Sequence, residues 1–392
     1  MAEKIALGIT TRALDQMSSF VDFLKNAEKY NHKIDHLIVG YDSHEDKRIV
    51  SELSKYTNVV SFQKGNYPFL NKEMRKLGLT EEEIEVLIGT PERKKYGKIP
   101  YGTARNYILL TALFLETDFL LFFDTDVFPK VLTEFSCENE FKFREVDFVG
   151  NHLKFLKENN DVVVTSSDYT GYYIIPKMNF PYLKDLLFGL QKDDRYFYIS
   201  NVRRPVTRTS LLENIFETDK ILGGNLALDL RKFDLLPPFF STTLIVDDEC
   251  YLGRGEDTLF GPIIRQYGGK CLDIDMLVFH NCFGDFPNEP KISLEKNRNR
   301  FFYACMGWVI RNPFFNWIRT DYFPKREKKD YHERLRALRK GSKAAADYFS
   351  DERFLKLPKA YKMAYEKLES DIEHFHKLLD TWNKLKHLLK IK

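Results

Sequence analysis

Short apolar runs alternate with stretches of helical spacing over the first third of the chain. Apolar runs of strand length occupy 5–10, 36–40 and 59–62. Between them, apolar side chains recur at helical spacing over 14–30, and a second helix is predicted over 44–55. Strands that alternate with helices form a parallel sheet covered on both faces. The pattern therefore predicts an α/β fold for this part of the chain.

Beyond this region the pattern becomes irregular and then changes character. A helix is predicted over 102–117, followed by a buried strand over 119–123. Further elements are expected as strands near 162–165, 172–175 and 225–230, a helix over 256–267, and one or two strands within 271–279. After about residue 290 the strand signals vanish and amphipathic helical stretches follow. The sequence thus predicts an α/β domain over 1–290 and a C-terminal α-helical subdomain over 291–392.

Composition and charge narrow the class of protein. The chain has 392 residues, 15% of them aromatic, and a net charge of only +3, so a dedicated nucleic-acid binder is not expected. Lys and Arg are in excess within 325–392, which makes the helical tail basic. The five cysteines form no CxxC pair, which argues against a zinc site or a disulfide framework. No signal peptide and no membrane-spanning run are predicted, so a reduced, cytoplasmic setting is expected.

Two carboxylates directly follow the buried strand at 119–123. Asp124 and Asp126 stand at i and i+2, and in extended chain such positions point to the same side. Converging carboxylates repel each other unless a cation lies between them. A divalent ion with oxygen ligands, Mg²⁺ or Mn²⁺, meets that need and usually also contacts phosphates of a substrate. The alternative is a solvated Asp-Thr-Asp turn that ends the strand.

Two glycine-containing segments supply candidate ligand contacts. The segment 97–106 carries Lys98 and Arg105 near a helix start, where glycines and the helix N-terminus favour anions. An ordinary loop with surface basic residues is the competing interpretation. Gly224 and Asn225 join a tight turn to a strand, which either sets backbone against a bound ligand or is simply a β-turn.

Acidic residues and a histidine complete the candidate set. Glu256 and Asp257 open a helix, so Asp257 is either a helix cap or a carboxylate directed into a cleft. His280 stands at the end of a short apolar run. It is either a satisfied interior or surface histidine or a third metal ligand.

Together these segments resemble the GT-A glycosyltransferases, which use nucleotide-diphosphate sugars and a divalent metal. The order of elements matches over about residues 4–285, and within the class the chain looks most like the mannosylglycerate synthase type and its relatives. The parallels are Val39-Gly40-Tyr41-Asp42, Gly97-Lys98, Gly223-Gly224, Asp257-Thr258-Leu259-Phe260, and His280 followed by Phe283-Gly284. The resemblance implies a Rossmann-like GT-A domain with a mixed central sheet flanked by helices. It also implies a nucleotide-sugar half at about 1–130 and an acceptor half at about 131–290.

The resemblance also assigns roles to individual residues. The implied cofactor is Mn²⁺ or Mg²⁺, and its ligands are Asp124, Asp126 and His280. The implied nucleotide-sugar contacts are Thr10, Asp42, Lys98, Arg105, Asp124, Gly224 and Asn225. The implied catalytic residues are Glu256 and Asp257.

The expected activity is metal-dependent transfer of a hexose from a GDP- or UDP-sugar to a hydroxyl acceptor. Retention of configuration is favoured, with Asp257 orienting sugar or acceptor. The alternative is an inverting GT-A enzyme that acts on a glycan or lipid-linked acceptor, with Asp257 as the general base. A nucleotidyltransferase is the alternative of another class. A haloacid-dehalogenase-type phosphatase is disfavoured because its Asp-x-Asp follows the first strand near the N-terminus.

The expected partners are the nucleotide-sugar donor and a small-molecule or glycan acceptor, with no nucleic acid. The basic C-terminal helices raise a further hypothesis, contact with an anionic membrane surface on the cytoplasmic face. Packing of these helices on the catalytic domain or on a partner subunit, as in a homo-oligomer, is the favoured alternative.

Overall fold

A mixed sheet of eight strands forms the centre of the part of the chain that the structure describes. The computed structural model describes residues 3–89, 95–135, 141–201, 204–292, 295–320 and 328–391. The strands are β1 (Ile5–Thr11), β2 (His36–Tyr41), β3 (Asn58–Gln63), β4 (Phe119–Phe123), β5 (Val127–Phe128), β6 (Lys130–Phe135), β7 (Phe141–Glu145), β8 (Val162–Ser166), β9 (Tyr169–Thr170), β10 (Phe216–Glu217), β11 (Asn225–Asp229), β12 (Thr243–Val246), β13 (Glu249–Leu252), β14 (Lys270–Asp273) and β15 (Val278–His280).

Helices cover the sheet and continue to the C-terminal end of the described chain. They are α1 (Ser18–Lys29), α2 (Lys47–Leu53), α3 (Pro68–Lys76), α4 (Glu81–Ile88), α5 (Tyr101–Phe114), α6 (Phe148–Glu158), α7 (Leu183–Gly189), α8 (Tyr196–Asn201), α9 (Glu256–Gln266), α10 (Glu295–Thr320), α11 (Lys328–Phe349), α12 (Leu357–Glu366) and α13 (Leu368–Ile391). The sheet order is β10-β14-β8-β11-β4-β1-β2-β3.

The parallel half of the sheet brings several strand ends to one edge. Strands β4, β1, β2 and β3 run parallel, with Gly8 opposite Phe122 and Thr10 opposite Gly40. Strand β4 is apolar throughout because both of its faces are covered. Phe123 packs against Phe23 of α1 on one face, with ring centres 4.2 Å apart, while Phe122 faces the other core. The residues that follow β1, β2 and β4 therefore lie at the same edge.

The other half of the sheet is not parallel, and one predicted strand is absent from it. Strand β11 runs antiparallel to both β4 and β8, whereas β14 is parallel to β8. The strand predicted at 172–175 is wrong. Gly171, at φ 108°, turns the chain after the two-residue β9, and Ile175 packs into a separate core instead. Within this run only Ile175 is buried and Ile174 is exposed, so the run does not have the burial of a central strand.

The C-terminal helices pack on the α/β region through shared cores. Trp382 of α13 is fully buried and donates its indole N–H to the carbonyl of Leu236 at 2.8 Å. Part of the positive charge of these helices is matched locally, since Lys384 pairs with Glu83 at 2.6 Å. Within the described residues, no helix combines the length and apolar character needed to span a bilayer.

The predicted fold class is confirmed. The structure has a mixed central sheet, helices on both faces and a helical C-terminal region. The sequence analysis assigned no element to the helices α3, α4, α6, α7 and α8 or to the β6–β7 and β12–β13 hairpins. Helices α3 and α6 are amphipathic, so their periodicity is present in the sequence.

Candidate active site

The candidate site lies at the edge where β1, β2 and β4 end. Thr10 is the penultimate residue of β1, Asp42 follows β2, and Asp124 follows β4. Asp42 pairs at 2.9 Å with Lys64, whose side chain is only 9% exposed. The carboxyl ends of parallel strands are where open α/β sheets bind ligands. The structure thus places three of the predicted nucleotide-sugar contacts at one edge.

Asp126 and His280 meet through a small secondary sheet. Strand β15 pairs with β5 so that His280 stands opposite Val127, and the Asn281 N–H donates to the carbonyl of Asp126 at 2.8 Å. This pairing brings Nε2 of His280 to 3.3 Å from Oδ2 of Asp126. A guanidinium nitrogen of Arg300 lies 4.0 Å from the same carboxylate.

The pKa values of the two aspartates in the Asp-x-Asp segment are shifted in opposite directions. Burial raises the pKa of Asp124 above its ordinary value, the charge of Arg105 opposes the rise, and the neighbouring Asp126 adds to it. Burial would also raise the pKa of Asp126, but the hydrogen bond from His280 and the charges of His280 and Arg300 lower it overall. Asp126 is therefore the carboxylate that stays ionised more readily.

A buried ion pair between Arg105 and Glu256 joins helix α5 to helix α9. Arg105, 6% exposed, donates Nε–H to Glu256 at 2.7 Å and Nη1–H to the carbonyl of Gly223 at 3.2 Å. Its Nη2 lies 3.9 Å from Asp124. Burial would lower the pKa of Arg105, but the surrounding carboxylates raise it overall. In the described structure, Glu256 is thus committed to holding Arg105.

Asp257 organises the turn before β11. One carboxylate oxygen accepts the Gly223 N–H at 2.8 Å, and the other accepts the Thr258 N–H at 2.7 Å. Gly224 is pressed against Asp124, because a Cβ added there would lie 2.7 Å from the Asp124 carboxylate. The Tyr169 hydroxyl accepts the Gly224 N–H at 3.0 Å, and its ring lies 4.8 Å from that of His280. Residues in or next to β4, β9, β11, β15 and α9 therefore lie close together around the Gly223–Gly224 turn.

Asn225 has a different position from the one expected of a pocket-lining amide. Its side chain is fully buried, its Oδ1 contacts Nε2 of His152 at 3.0 Å, and its amide N–H groups donate to the carbonyls of Asp168 and Met276. Nδ1 of His152 in turn contacts the Thr165 hydroxyl at 2.8 Å. The Asn225 side chain ties β11 to its neighbours, and Gly224 alone of the pair faces Asp124.

Acidification is expected to weaken the fold through His152. Burial lowers the pKa of His152 to about 4, below the ordinary value of 6.5, so the unfolded chain binds the proton more tightly. The stability is then complete above pH 6.5 and falls with the pH toward 4. We expect a loss of about 2 kcal/mol between pH of about 7.5 and about 5 from this group, measured by urea unfolding.

The matched variants for this experiment are His152→Gln and His387→Gln. His152→Gln is expected to lower stability at neutral pH and to show a flatter dependence on pH below 6.5. His387 is exposed, so its replacement should leave the dependence as in the original protein. An unchanged slope in His152→Gln would contradict this account.

The described contacts of Lys98 are with residues 249–251 and not with Asp124 and its neighbours. Its ammonium donates to the carbonyl of Cys250 at 2.5 Å and lies 3.8 Å from Glu249. Its role toward a diphosphate stays a prediction. The sequence also offers Arg203, Arg204 and Arg208 either as contacts for an anionic acceptor or as part of a solvated loop. Arg208 pairs with Asp275 at 2.8 Å, and Arg203 lies outside the described residues.

The donor chemistry around Asp126 suits a hard divalent ion that is shared with a substrate. Among the described residues, no group of three His, Cys, Asp or Glu side chains surrounds one point. Asp126 and His280 form a pair, with Asp124 within electrostatic range. Mg²⁺ and Mn²⁺ sites commonly use one or two protein ligands and complete their shell with phosphates and water. The residues present fit that type of site.

Several residues of the site were missed by the sequence analysis. Tyr169, Arg300 and Lys64 carry no local motif that would single them out. Arg311 is 4% exposed and lies in α10, far along the chain, yet its guanidinium is within electrostatic range of Asp257. A charged residue inside the apolar stretch 309–314 was the available signal.

Comparisons with known proteins give weak similarities. No family model and no curated protein matches the chain. Among solved structures, it is similar to a mycobacterial protein, with 13% identity over 79% of this chain and 74% of that one and a TM-score of 0.39. It is also similar to glucosyl-3-phosphoglycerate synthase from Mycobacterium tuberculosis in complex with Mn²⁺, UDP and phosphoglyceric acid. There the identity is 13%, the coverage 77% and 78%, and the TM-score 0.35.

A third similar structure is TarS of S. aureus. The identity is 12%, with 94% of this chain and 55% of that one covered and a TM-score of 0.37. Similarity at this level does not identify a function, so the functional assignment rests on the geometry of the site.

Proposed function

We propose that this protein is a metal-dependent GT-A glycosyltransferase that moves a hexose from a nucleotide-diphosphate sugar to a hydroxyl acceptor. The observation that carries the proposal is the convergence of Asp124, the Asp126–His280 pair and Gly224 at the carboxyl edge of the parallel strands. Thr10 and Asp42 lie at the same edge, where a nucleoside would rest.

The residues of the chain divide the work of the reaction. A divalent ion held by Asp126 and His280, with Asp124, would stabilise the charge that grows on the departing nucleoside diphosphate. The lack of a side chain at Gly224 lets the Asp124 carboxylate lie against the backbone of this turn, and Asp257 fixes the turn through the Gly223 N–H. Arg105 and Glu256 form an ion pair, and Arg105 also stabilises the same turn by donating a hydrogen bond to the Gly223 carbonyl.

Retention of configuration is favoured by the environment of Asp257. Both of its oxygens accept backbone N–H groups, which suits a carboxylate that orients a substrate. A general base for inversion needs an oxygen within hydrogen-bond reach of the acceptor hydroxyl. An inverting enzyme with a glycan or lipid-linked acceptor is the alternative. The anomeric configuration of the product distinguishes the two.

The test is a donor screen. Purified protein is incubated with UDP- and GDP-sugars and Mn²⁺, nucleotide release is measured, and the configuration of the product anomer is read by NMR. We expect Mn²⁺-dependent release with one donor base and a retained anomer. A parallel incubation with a nucleoside triphosphate and a sugar 1-phosphate tests the other class, because release of pyrophosphate from the triphosphate would support a nucleotidyltransferase instead. No binding and no turnover of any nucleotide sugar would refute the proposal.

Asp257→Asn is expected to lower turnover by about 10²-fold or more while donor affinity changes little. The Asn amide can accept only one of the two backbone N–H groups that Asp257 accepts. The Gly223–Gly224 turn is therefore fixed less firmly beside the bound sugar. Turnover and donor binding are measured separately, by nucleotide release and by calorimetry. Asp161→Asn, at an exposed ion pair with Lys270 just before β8, is the control. Full activity in Asp257→Asn would remove this residue from the mechanism.

A further inference from the structure

The hydroxyl of Tyr169 has a proton that no group in the described part of the chain accepts. Its oxygen accepts the Gly224 N–H at 3.0 Å, and no hydrogen bond among the described residues has this hydroxyl as the donor. A tyrosine hydroxyl is a donor as well as an acceptor, and it keeps its proton at neutral pH. Tyr169 is only partly buried, whereas the next residue, Thr170, is 1% exposed. The unused donor therefore belongs to a side chain that is partly open to solvent.

The backbone holds this side chain in a fixed place. Strand β9 pairs in parallel with β15, and Tyr169 stands opposite Val278. Two residues further on, Gly171 exchanges two backbone hydrogen bonds with Val206, at 2.9 Å and 2.8 Å. The hydroxyl is thus preorganised, so that a ligand can meet it without rearrangement of the chain.

Tyr169 lies against the residues that frame the candidate metal site. The centre of its ring is 4.8 Å from that of His280. A Cβ added to Gly224 would lie 2.8 Å from the Tyr169 hydroxyl and 2.7 Å from Oδ2 of Asp124, so both oxygens lie against the same side of this glycine. The side chains of Asp124 and Asp126 are 41% and 35% exposed. The hydroxyl therefore stands beside a group of polar side chains that a ligand can reach.

The order of the strands indicates which part of a nucleotide sugar meets this hydroxyl. Thr10 and Asp42, at the ends of β1 and β2, lie where the nucleoside would rest. Gly224 precedes β11, which lies on the opposite side of β4 from β1 and β2. A donor that extends from β2 across β4 brings its diphosphate to Asp124. Its terminal phosphate, which carries the sugar, then lies nearest Gly224 and Tyr169.

We propose that the Tyr169 hydroxyl donates a hydrogen bond to the terminal phosphate of the departing nucleoside diphosphate. This inference rests on the proposed function. When the bond between the sugar and this phosphate breaks, its electron pair stays on the phosphate oxygen, and the phenol keeps its proton. The negative charge that grows on the phosphate strengthens the hydrogen bond. The Gly224 N–H, which donates to the phenolic oxygen, makes the hydroxyl a stronger donor.

The test compares the binding of two nucleotides to Tyr169→Phe. Calorimetry with Mn²⁺ gives the dissociation constant of the diphosphate that binds the original protein, UDP or GDP, and that of the matching monophosphate. We expect the constant of the diphosphate to rise about tenfold and that of the monophosphate to stay the same, because only the diphosphate has the terminal phosphate. Both constants are measured in one preparation, so their ratio does not depend on the fraction of the variant that is folded.

Two further variants separate this contact from a structural role. Tyr172→Phe is the matched control, because its hydroxyl donates to the carbonyl of Pro287 at 3.0 Å, and both constants should stay unchanged. Asp257→Asn loosens the Gly223–Gly224 turn but keeps the Tyr169 hydroxyl, so the ratio of the two constants should also stay unchanged. Turnover of Tyr169→Phe at saturating donor is expected to fall about tenfold or more, since the hydrogen bond is strongest in the transition state.

Several outcomes would overturn the role of Tyr169. Equal loss of affinity for the diphosphate and the monophosphate would show that the hydroxyl only supports the turn, and unchanged affinities would show that it does not contact the phosphate. A loss confined to the complete nucleotide sugar would place the hydroxyl on the sugar instead. Each of these results leaves the proposed function intact. Failure of the original protein to bind UDP or GDP would refute the proposed function itself, and the role of Tyr169 with it.

Discussion

Replacing Asp126 with Asn is expected to lower Mn²⁺-dependent transfer by about 10²–10³-fold. The substitution preserves the size of the side chain and removes the charge. Asp126 is the carboxylate in contact with His280 and the one whose pKa is lowered, so it offers the ionised oxygen that a divalent ion needs. Nucleotide release at saturating donor, titrated with Mn²⁺, measures the loss.

Direct metal binding gives a second measure that does not depend on turnover. The affinity for Mn²⁺ in the presence of UDP is expected to fall in Asp126→Asn and to stay unchanged in Asp161→Asn, whose carboxylate pairs with Lys270 at the surface. If Asp126→Asn bound Mn²⁺ and turned over as the original protein does, the metal would have to lie elsewhere. The proposed function would then lose the observation that carries it.

Replacing Arg105 with Met is expected to lower the free energy of unfolding by about 3–5 kcal/mol. The change leaves Glu256 buried without its partner and removes the hydrogen bond to Gly223. The aliphatic part of Met still fills the space against the rings of Phe122 and Phe239, which the guanidinium now covers. Urea unfolding monitored by circular dichroism measures the loss.

A double-mutant cycle separates the ion pair from packing. Arg105→Met with Glu256→Gln is expected to recover a large part of the lost stability, because no uncompensated charge remains. Arg48→Met, which breaks an exposed pair with Asp46, serves as the control and should leave the unfolding curve unchanged. Equal losses in the single and double variants would show that Glu256 is not the partner that matters.

The segment that carries the candidate chemistry was predictable from local pattern. Five apolar residues at 119–123 specify a strand buried on both faces, and the polar residues after it must lie at the sheet edge. The same reasoning placed Thr10 and Asp42 at the ends of β1 and β2. In each case the information is contained in a few consecutive residues.

The partners within the site were not predictable in this way. Arg105 and Glu256 are separated by 151 residues, and the sequence analysis gave each a role toward substrate rather than toward the other. Asn225 was expected to line the sugar pocket, yet its amide holds strands together through His152. In a sequence, a polar residue next to a glycine in a turn has the same pattern whether it binds a ligand or ties strands together.

By itself, the sequence determined that the protein has an α/β region ending in acidic strand termini and a helical C-terminal region. Hydrophobic periodicity reports which faces are buried, and this suffices for elements and for the residues at their ends. Only the tertiary structure decided which of those residues meet. It brought Glu256 to Arg105 and Arg311 of the helical region to the turn before Asp257, whereas the family resemblance had already implied that His280 and Asp126 share a site. Such contacts depend on how distant elements pack, and no local pattern of residues encodes that packing.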